Sequence, residues 1–92
     1  MGDSKHYLER CDERRIPADA RHVLRRHGRP YRGRRGVRIY HLDAYRAWRA
    51  RLSGLDLEPY LGVAVVVGRG GIAITAFRVA DEAARLRWTE AG

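Results

Sequence analysis

Tyr60-Leu61-Gly62-Val63-Ala64-Val65-Val66-Val67 and Ile72-Ala73-Ile74-Thr75-Ala76-Phe77-Arg78-Val79, joined by Gly68-Arg69-Gly70-Gly71, carry the clearest structural signal in the chain. Branched side chains suit a pleated surface, and glycine accepts the dihedrals of a tight connection, so the two runs read as a β-hairpin. The glycine segment leads into a strand and not into a helix, which makes it a turn and not a phosphate-binding loop.

Upstream of the hairpin, Val37, Ile39 and His41 alternate with Arg38, Tyr40 and Leu42, the period of a strand with one inward face. Asp43 is placed to cap a helix with Tyr45, Trp48 and Leu52 on one side, closed by Ser53-Gly54. Downstream, Ala80 to Trp88 reads as a C-terminal helix, acidic early and basic late as the helix dipole favours. Trp48 and Trp88 are expected to seat their helices on the sheet. Near the N-terminus, Asp3 or Ser4 caps a first helix with Tyr7, Leu8 and Cys11 as its apolar stripe, ending near Arg14. Ile16-Pro17 opens a second helix with Asp19 in its first turn, Ile16, Ala20, Val23, Leu24 and His27 on one face, and Gly28 as its cap. Residues 29 to 36 have no hydrophobic period and read as a basic loop. The order ααβ(α)ββα defines an α+β class: two N-terminal helices on one face of a small antiparallel sheet, the other face open, and a C-terminal helix, all in a single domain over 1–92.

A chain of 92 residues builds one modest core and leaves no room for a separate cofactor domain. Its net charge of +8 is one-sided: residues 1 to 51 hold 15 Lys+Arg against 6 Asp+Glu, and residues 52 to 92 hold 4 against 5. Cys11 is the single cysteine, so neither an intramolecular disulfide nor a cysteine-rich zinc site is available, and a reducing compartment fits. The longest apolar run, Leu61 to Val67, is too short to span a bilayer. The expected site of action is cytoplasmic, in the producing cell or in a target cell if the domain is delivered there. His22 and His27 are five apart without an accompanying carboxylate, so no metal site is expected, and no cofactor.

His6, Arg10 and Arg14 recur every four residues and form a stripe on a continuous helix. An imidazole that exchanges a proton near neutral pH, beside two guanidiniums, suits a phosphate undergoing reaction. A solvated face with Arg10 and Arg14 paired to Glu9 or Glu13 is the competing reading. The densest positive segment holds Arg25, Arg26, Arg29, Arg32, Arg34, Arg35 and Arg38, interrupted by Tyr31 and Tyr40. Guanidiniums for phosphates and rings for bases suit single-stranded RNA. The same charge suits an acidic protein partner.

Ser4-Lys5-His6-Tyr7-Leu8-Glu9-Arg10-Cys11-Asp12-Glu13-Arg14-Arg15-Ile16-Pro17 resembles the opening of small RelE-like and BrnT-like toxin domains, and Ile74-Thr75-Ala76-Phe77-Arg78 resembles their closing hydrophobic-Thr-aromatic strand. The resemblance implies the barnase/EndoU/colicin/RelE type of fold and a metal-independent ribonuclease from a toxin–antitoxin or polymorphic toxin system. By carry-over His6, Arg10, Arg14, Thr75 and Arg78 would line one site, with RNA as substrate and an acidic antitoxin or immunity protein as partner. His41 or Tyr40 is a candidate second acid or base. Two departures stand out: Arg15 occupies the position where glycine is usual, and the segment between the first strand and the hairpin is longer, with room for an extra helix.

Overall fold

A computed structural model describes residues 5–79 and 89–90. Along the chain run α1 (Lys5–Arg14), α2 (Ala20–His27), β1 (Arg29–Arg32), β2 (Arg38–His41), α3 (Ala44–Leu52), β3 (Val63–Val67), β4 (Ala73–Arg78) and a two-residue β5 (Thr89–Glu90). The strands form one antiparallel sheet in the order β4-β3-β2-β1-β5. The chain is α+β, as its periodicities imply. The expected caps Asp3 and Ser4 and the expected helix from Ala80 to Trp88 lie outside the described residues.

α1 packs against β4 and α2 against β3. Tyr7 and Cys11 of α1, Ile16, and Ala20 and Leu24 of α2 meet Val63, Val65, Val67, Ala73 and Ala76 in one buried cluster. Leu8, expected on the buried stripe, is exposed. α1 closes with Arg15 in the left-handed region (φ 54°), the Arg15 amide donating to the Asp12 carbonyl at 3.3 Å and the Ile16 amide to that of Cys11 at 2.9 Å. This pairing, with Cys11 and Ile16 both buried, is the Schellman arrangement.

The second helix starts later than Ile16-Pro17. Residues 17 to 19 make a turn, with the Ala20 amide bonded to the Pro17 carbonyl at 3.0 Å, and Asp19 stands at the N-cap without capping through its side chain. Its carboxylate instead accepts the Tyr60 hydroxyl at 2.9 and 3.0 Å, joining α2 to the turn before β3. Gly28 ends α2 as expected, its amide bonded to the Leu24 carbonyl at 2.8 Å. A Cβ there would lie 2.6 Å from the Leu24 oxygen and 3.1 Å from that of His41, so β1 can leave the helix this closely only from glycine.

Half of the expected basic loop over 29 to 36 is a strand. Arg29 to Arg32 pair residue by residue with His41 to Arg38, leaving only 33–37 as a connection. Strand pairing satisfies backbone groups whatever the side chains are, so a polar run without apolar period can still join a sheet. The second sheet face is also not open: Tyr31, His41 and Ala64 are 2%, 3% and 0% exposed. By strand alternation they lie opposite the face that carries Tyr40, Val65 and Ala76. Finally, α3 begins at its expected cap, the Asp43 carboxylate accepting the Arg46 amide at 2.7 Å, but it does not seat Trp48 on the sheet. Ala47 and Ala50 face the core, and the aromatic stripe faces out.

Candidate nucleic-acid interface

The registers bring two sequence-distant turns together. Arg32 pairs with Arg38, Arg38 with Val67, and Val67 with Ala73. The β1–β2 connection (33–37) and the β3–β4 connection (68–72) therefore project from the same end of the sheet. Arg34 and Arg35 occupy the first turn, which is tight enough to hold Arg35 (φ 56°) and Gly36 (φ 78°) in the left-handed region. Arg69 comes from the second turn and lies over the first, since a Cβ on Gly36 would stand 2.6 Å from its Nε. Arg25 reaches the same place from α2 by donating to the Gly71 carbonyl.

Six guanidiniums, from Arg25, Arg32, Arg34, Arg35, Arg38 and Arg69, thus share one end of the molecule. Arg32 and Arg38 stand directly across from each other, a placement that repels and costs stability while no anion lies between them. None of the six enters an ion pair within the described residues.

The remaining expected contacts divide. Arg29 lies at the opposite end of the sheet, across from His41, where both line a cleft of about 600 Å³ with Asp43 and Tyr45. Arg26 is exposed on α2. Tyr31 is buried on the second sheet face and Tyr40 packs on the core, so neither offers a ring to a base. Arg69, not among the expected contacts, belongs to the cluster. Its signal lay only in the register of two hairpins, which brings the two turns together.

On α1, His6 is exposed and Arg10 pairs with Glu13 at 2.7 Å. Arg14 donates to the Ala76 carbonyl at 2.6 Å, and Arg78 donates to the Arg15 carbonyl at 3.0 Å. These two bonds clamp the end of α1 to β4, and the first occupies a carbonyl of an edge strand. His6 and Arg14 are separated by about 12 Å along the helix axis. Thr75 pairs with Val66, whereas its neighbour Ala76 belongs to the core beneath the helices, so Thr75 points to the opposite face from α1. His41 is on that opposite face too. The structure brings Arg14 and Arg78 together, keeps His6 and Arg10 on one exposed helix face, and separates Thr75 from both.

Compared with protein-family models, with curated proteins and with solved structures, the chain matches none. Among the described residues no three His, Cys, Asp or Glu side chains converge as metal ligands, and no helix is long and apolar enough to cross a membrane.

Proposed function

We propose that this chain is an RNA-directed domain of the ribonuclease-toxin type, which holds the sugar–phosphate backbone on the arginines at its hairpin turns and cleaves it without a metal through His6. The observation that carries the reading is the Arg32 and Arg38 pair flanked by Arg34, Arg35 and Arg69, a concentration of like charge that a polyanion relieves. With Tyr31 and Tyr40 withdrawn, the surface recognises phosphates and not bases. The left-handed backbone at Arg15, where the resembled toxins use glycine, also supports the reading.

α1 lies against β4, the edge strand whose turn carries Arg69, so an RNA strand leaving the arginine end along that edge passes α1. In the reaction a base removes the ribose 2′-OH proton, the 2′-oxygen attacks the adjacent phosphorus, the bond to the 5′-oxygen breaks, and that oxygen is protonated. The ends are a 2′,3′-cyclic phosphate and a 5′-hydroxyl. His6 supplies one proton transfer, and Arg10 holds charge on the phosphoryl oxygens. Cytoplasmic action and an acidic antitoxin or immunity partner belong to the same proposal.

A second reading, RNA binding without cleavage, is favoured by Arg14 and Arg78, which bond backbone carbonyls, and by Thr75, which faces away. Incubation with single-stranded RNA in EDTA separates the two. Cleavage to cyclic-phosphate ends, slowed about 10²- to 10⁴-fold in His6→Ala with binding retained, supports the ribonuclease. Binding without cleavage, or cleavage indifferent to His6→Ala, removes the catalytic assignment. No binding removes both readings.

A further inference from the structure

Among the described residues, most exposed large apolar side chains gather on α3 and the segment after it: Tyr45, Trp48 and Leu52 are 56%, 55% and 69% exposed, and Leu55 and Leu61 extend the patch. At 100° per residue the first three fall within a 60° arc, one narrow stripe along the helix. Arg46 and Arg49 line one side of it and Arg51 the other. The Arg49 guanidinium sits 5.9 Å from the centre of the Tyr45 ring, and the Tyr45 and Trp48 rings are 6.1 Å apart. Shallow clefts flank the stripe. One of about 360 Å³ is bordered by His27, Tyr45, Arg46, Arg49 and Leu55. The other, about 140 Å³, lies beside Trp48, Arg51 and Leu61 and also meets Asp56 and Glu58.

We propose that the outer face of α3 is a docking surface for an amphipathic helix of a partner protein, its apolar face laid on Tyr45, Trp48 and Leu52 and a carboxylate directed at Arg49. The charge decides the occupant. α3 carries Arg46, Arg49 and Arg51; the Arg46 guanidinium is paired with the cap Asp43 at 3.4 Å, which leaves the exposed Arg49 as the uncompensated charge of that flank, complementary to an acid. The Asp56 and Glu58 side excludes a partner acidic on both flanks. An antiparallel pairing of two copies would set the Arg49 flank of one against the Arg49 flank of the other. RNA is poorly served by a stripe ending in Leu52, Leu55 and Leu61, which neither stack on bases nor bond phosphates. α3 also leaves β2 at His41, the end of the sheet opposite the arginine turns. Apolar anchors at helical spacing with a charged rim are the features of helix recognition. The proposal is independent of the RNA reading, because it uses none of the arginines at the turns.

The test is selection of a displayed library of randomised helical peptides on the full chain, with Trp48→Ala/Leu52→Glu as the comparison. Both positions are exposed, and circular dichroism with a melting curve verifies that the variant folds. Enriched peptides are expected to carry apolar residues at i, i+3, i+4 and i+7 with Asp or Glu along one flank. By fluorescence anisotropy they should bind roughly tenfold more weakly to Trp48→Ala/Leu52→Glu and to Arg49→Glu. Absence of enrichment, basic or neutral winners, or equal affinity for wild type and variants overturns the proposal. So does a concentration-dependent dimer in sedimentation velocity that the double variant abolishes, which would give the stripe to a second copy. Loss of single-stranded RNA affinity in Trp48→Ala, or of cosedimentation with phosphatidylserine vesicles in the double variant, would assign it to RNA or to a membrane surface.

Discussion

At Tyr7 one buried side chain ties two helices together. Fully buried, it donates its hydroxyl hydrogen to the Ala18 carbonyl at 2.8 Å and accepts the Arg21 amide at 3.1 Å, while the Arg21 guanidinium lies 5.8 Å from its ring centre. The phenol thereby joins α1 to the turn that begins α2. Tyr7→Phe strands the Arg21 amide and is expected to lower stability by about 1–2 kcal/mol, a fall of roughly 4–8 °C in melting temperature per kcal/mol. Burial, and then the neighbouring Cys11 thiol, push the Tyr7 hydroxyl well above the usual phenol range. The unfolded chain therefore loses this proton first as pH passes about 10. Beyond that point the folded state binds more protons than the unfolded, so stability declines with rising pH, while below it the contribution is complete. Tyr60, raised by burial and by the Asp19 carboxylate, acts with the same sign. Urea unfolding at a series of alkaline pH values should show the gap between wild type and Tyr7→Phe narrowing above pH of about 10. A constant gap would mean that the phenol does not titrate differently on folding.

The helices and hairpins differ in how far local sequence announces them. The β3–β4 hairpin was legible because its valines and glycines satisfy backbone preferences that require no distant partner. The end of α1 was nearly so: the resemblance marks the residue after Arg14 as a glycine position, and the backbone there is left-handed although Arg15 occupies it. Left-handed geometry costs a side-chain-bearing residue about 1–2 kcal/mol, whereas glycine gives back roughly 0.5–1 kcal/mol through unfolded-state entropy. Arg15→Gly should therefore stabilise the fold by about 0.5–1 kcal/mol, read as a higher urea midpoint with unchanged slope. The Arg15 carbonyl that receives Arg78 survives the substitution. β1 was not legible, since Arg29-Pro30-Tyr31-Arg32 has the composition of a loop and becomes a strand only because β2 lies beside it. α3 was legible in extent and misread in orientation. Periodicity identifies an apolar stripe, but it does not say whether that stripe or the alanines at 47 and 50 face the core.

Across the entire chain the charge imbalance becomes geometry. Arg32, Arg34, Arg35 and Arg38 are separated from Arg69 by more than thirty positions in sequence, yet share one surface with it through the β2–β3 register. If three of its guanidiniums each neutralise a phosphate, Arg32→Ala/Arg38→Ala/Arg69→Ala should flatten the plot of log affinity against log salt for single-stranded RNA by about 2 units. Arg51→Ala, on α3, should leave the slope unchanged. Equal slopes in the triple variant and wild type would move the RNA contacts elsewhere. The candidate site was thus half legible. His6, Arg10 and the arginine-rich segment follow from spacing and composition, and so do the α+β class, the antiparallel hairpin and the αα opening, because propensity, capping and local charge act over a few residues. Which arginines converge and why Thr75 is turned from α1 were set by strand pairing across the chain, and Trp48 faces outward because Ala47 and Ala50 take the core side of α3. A one-residue change of register moves every side chain to the other face, and local pattern carries no record of which distant strand will lie alongside.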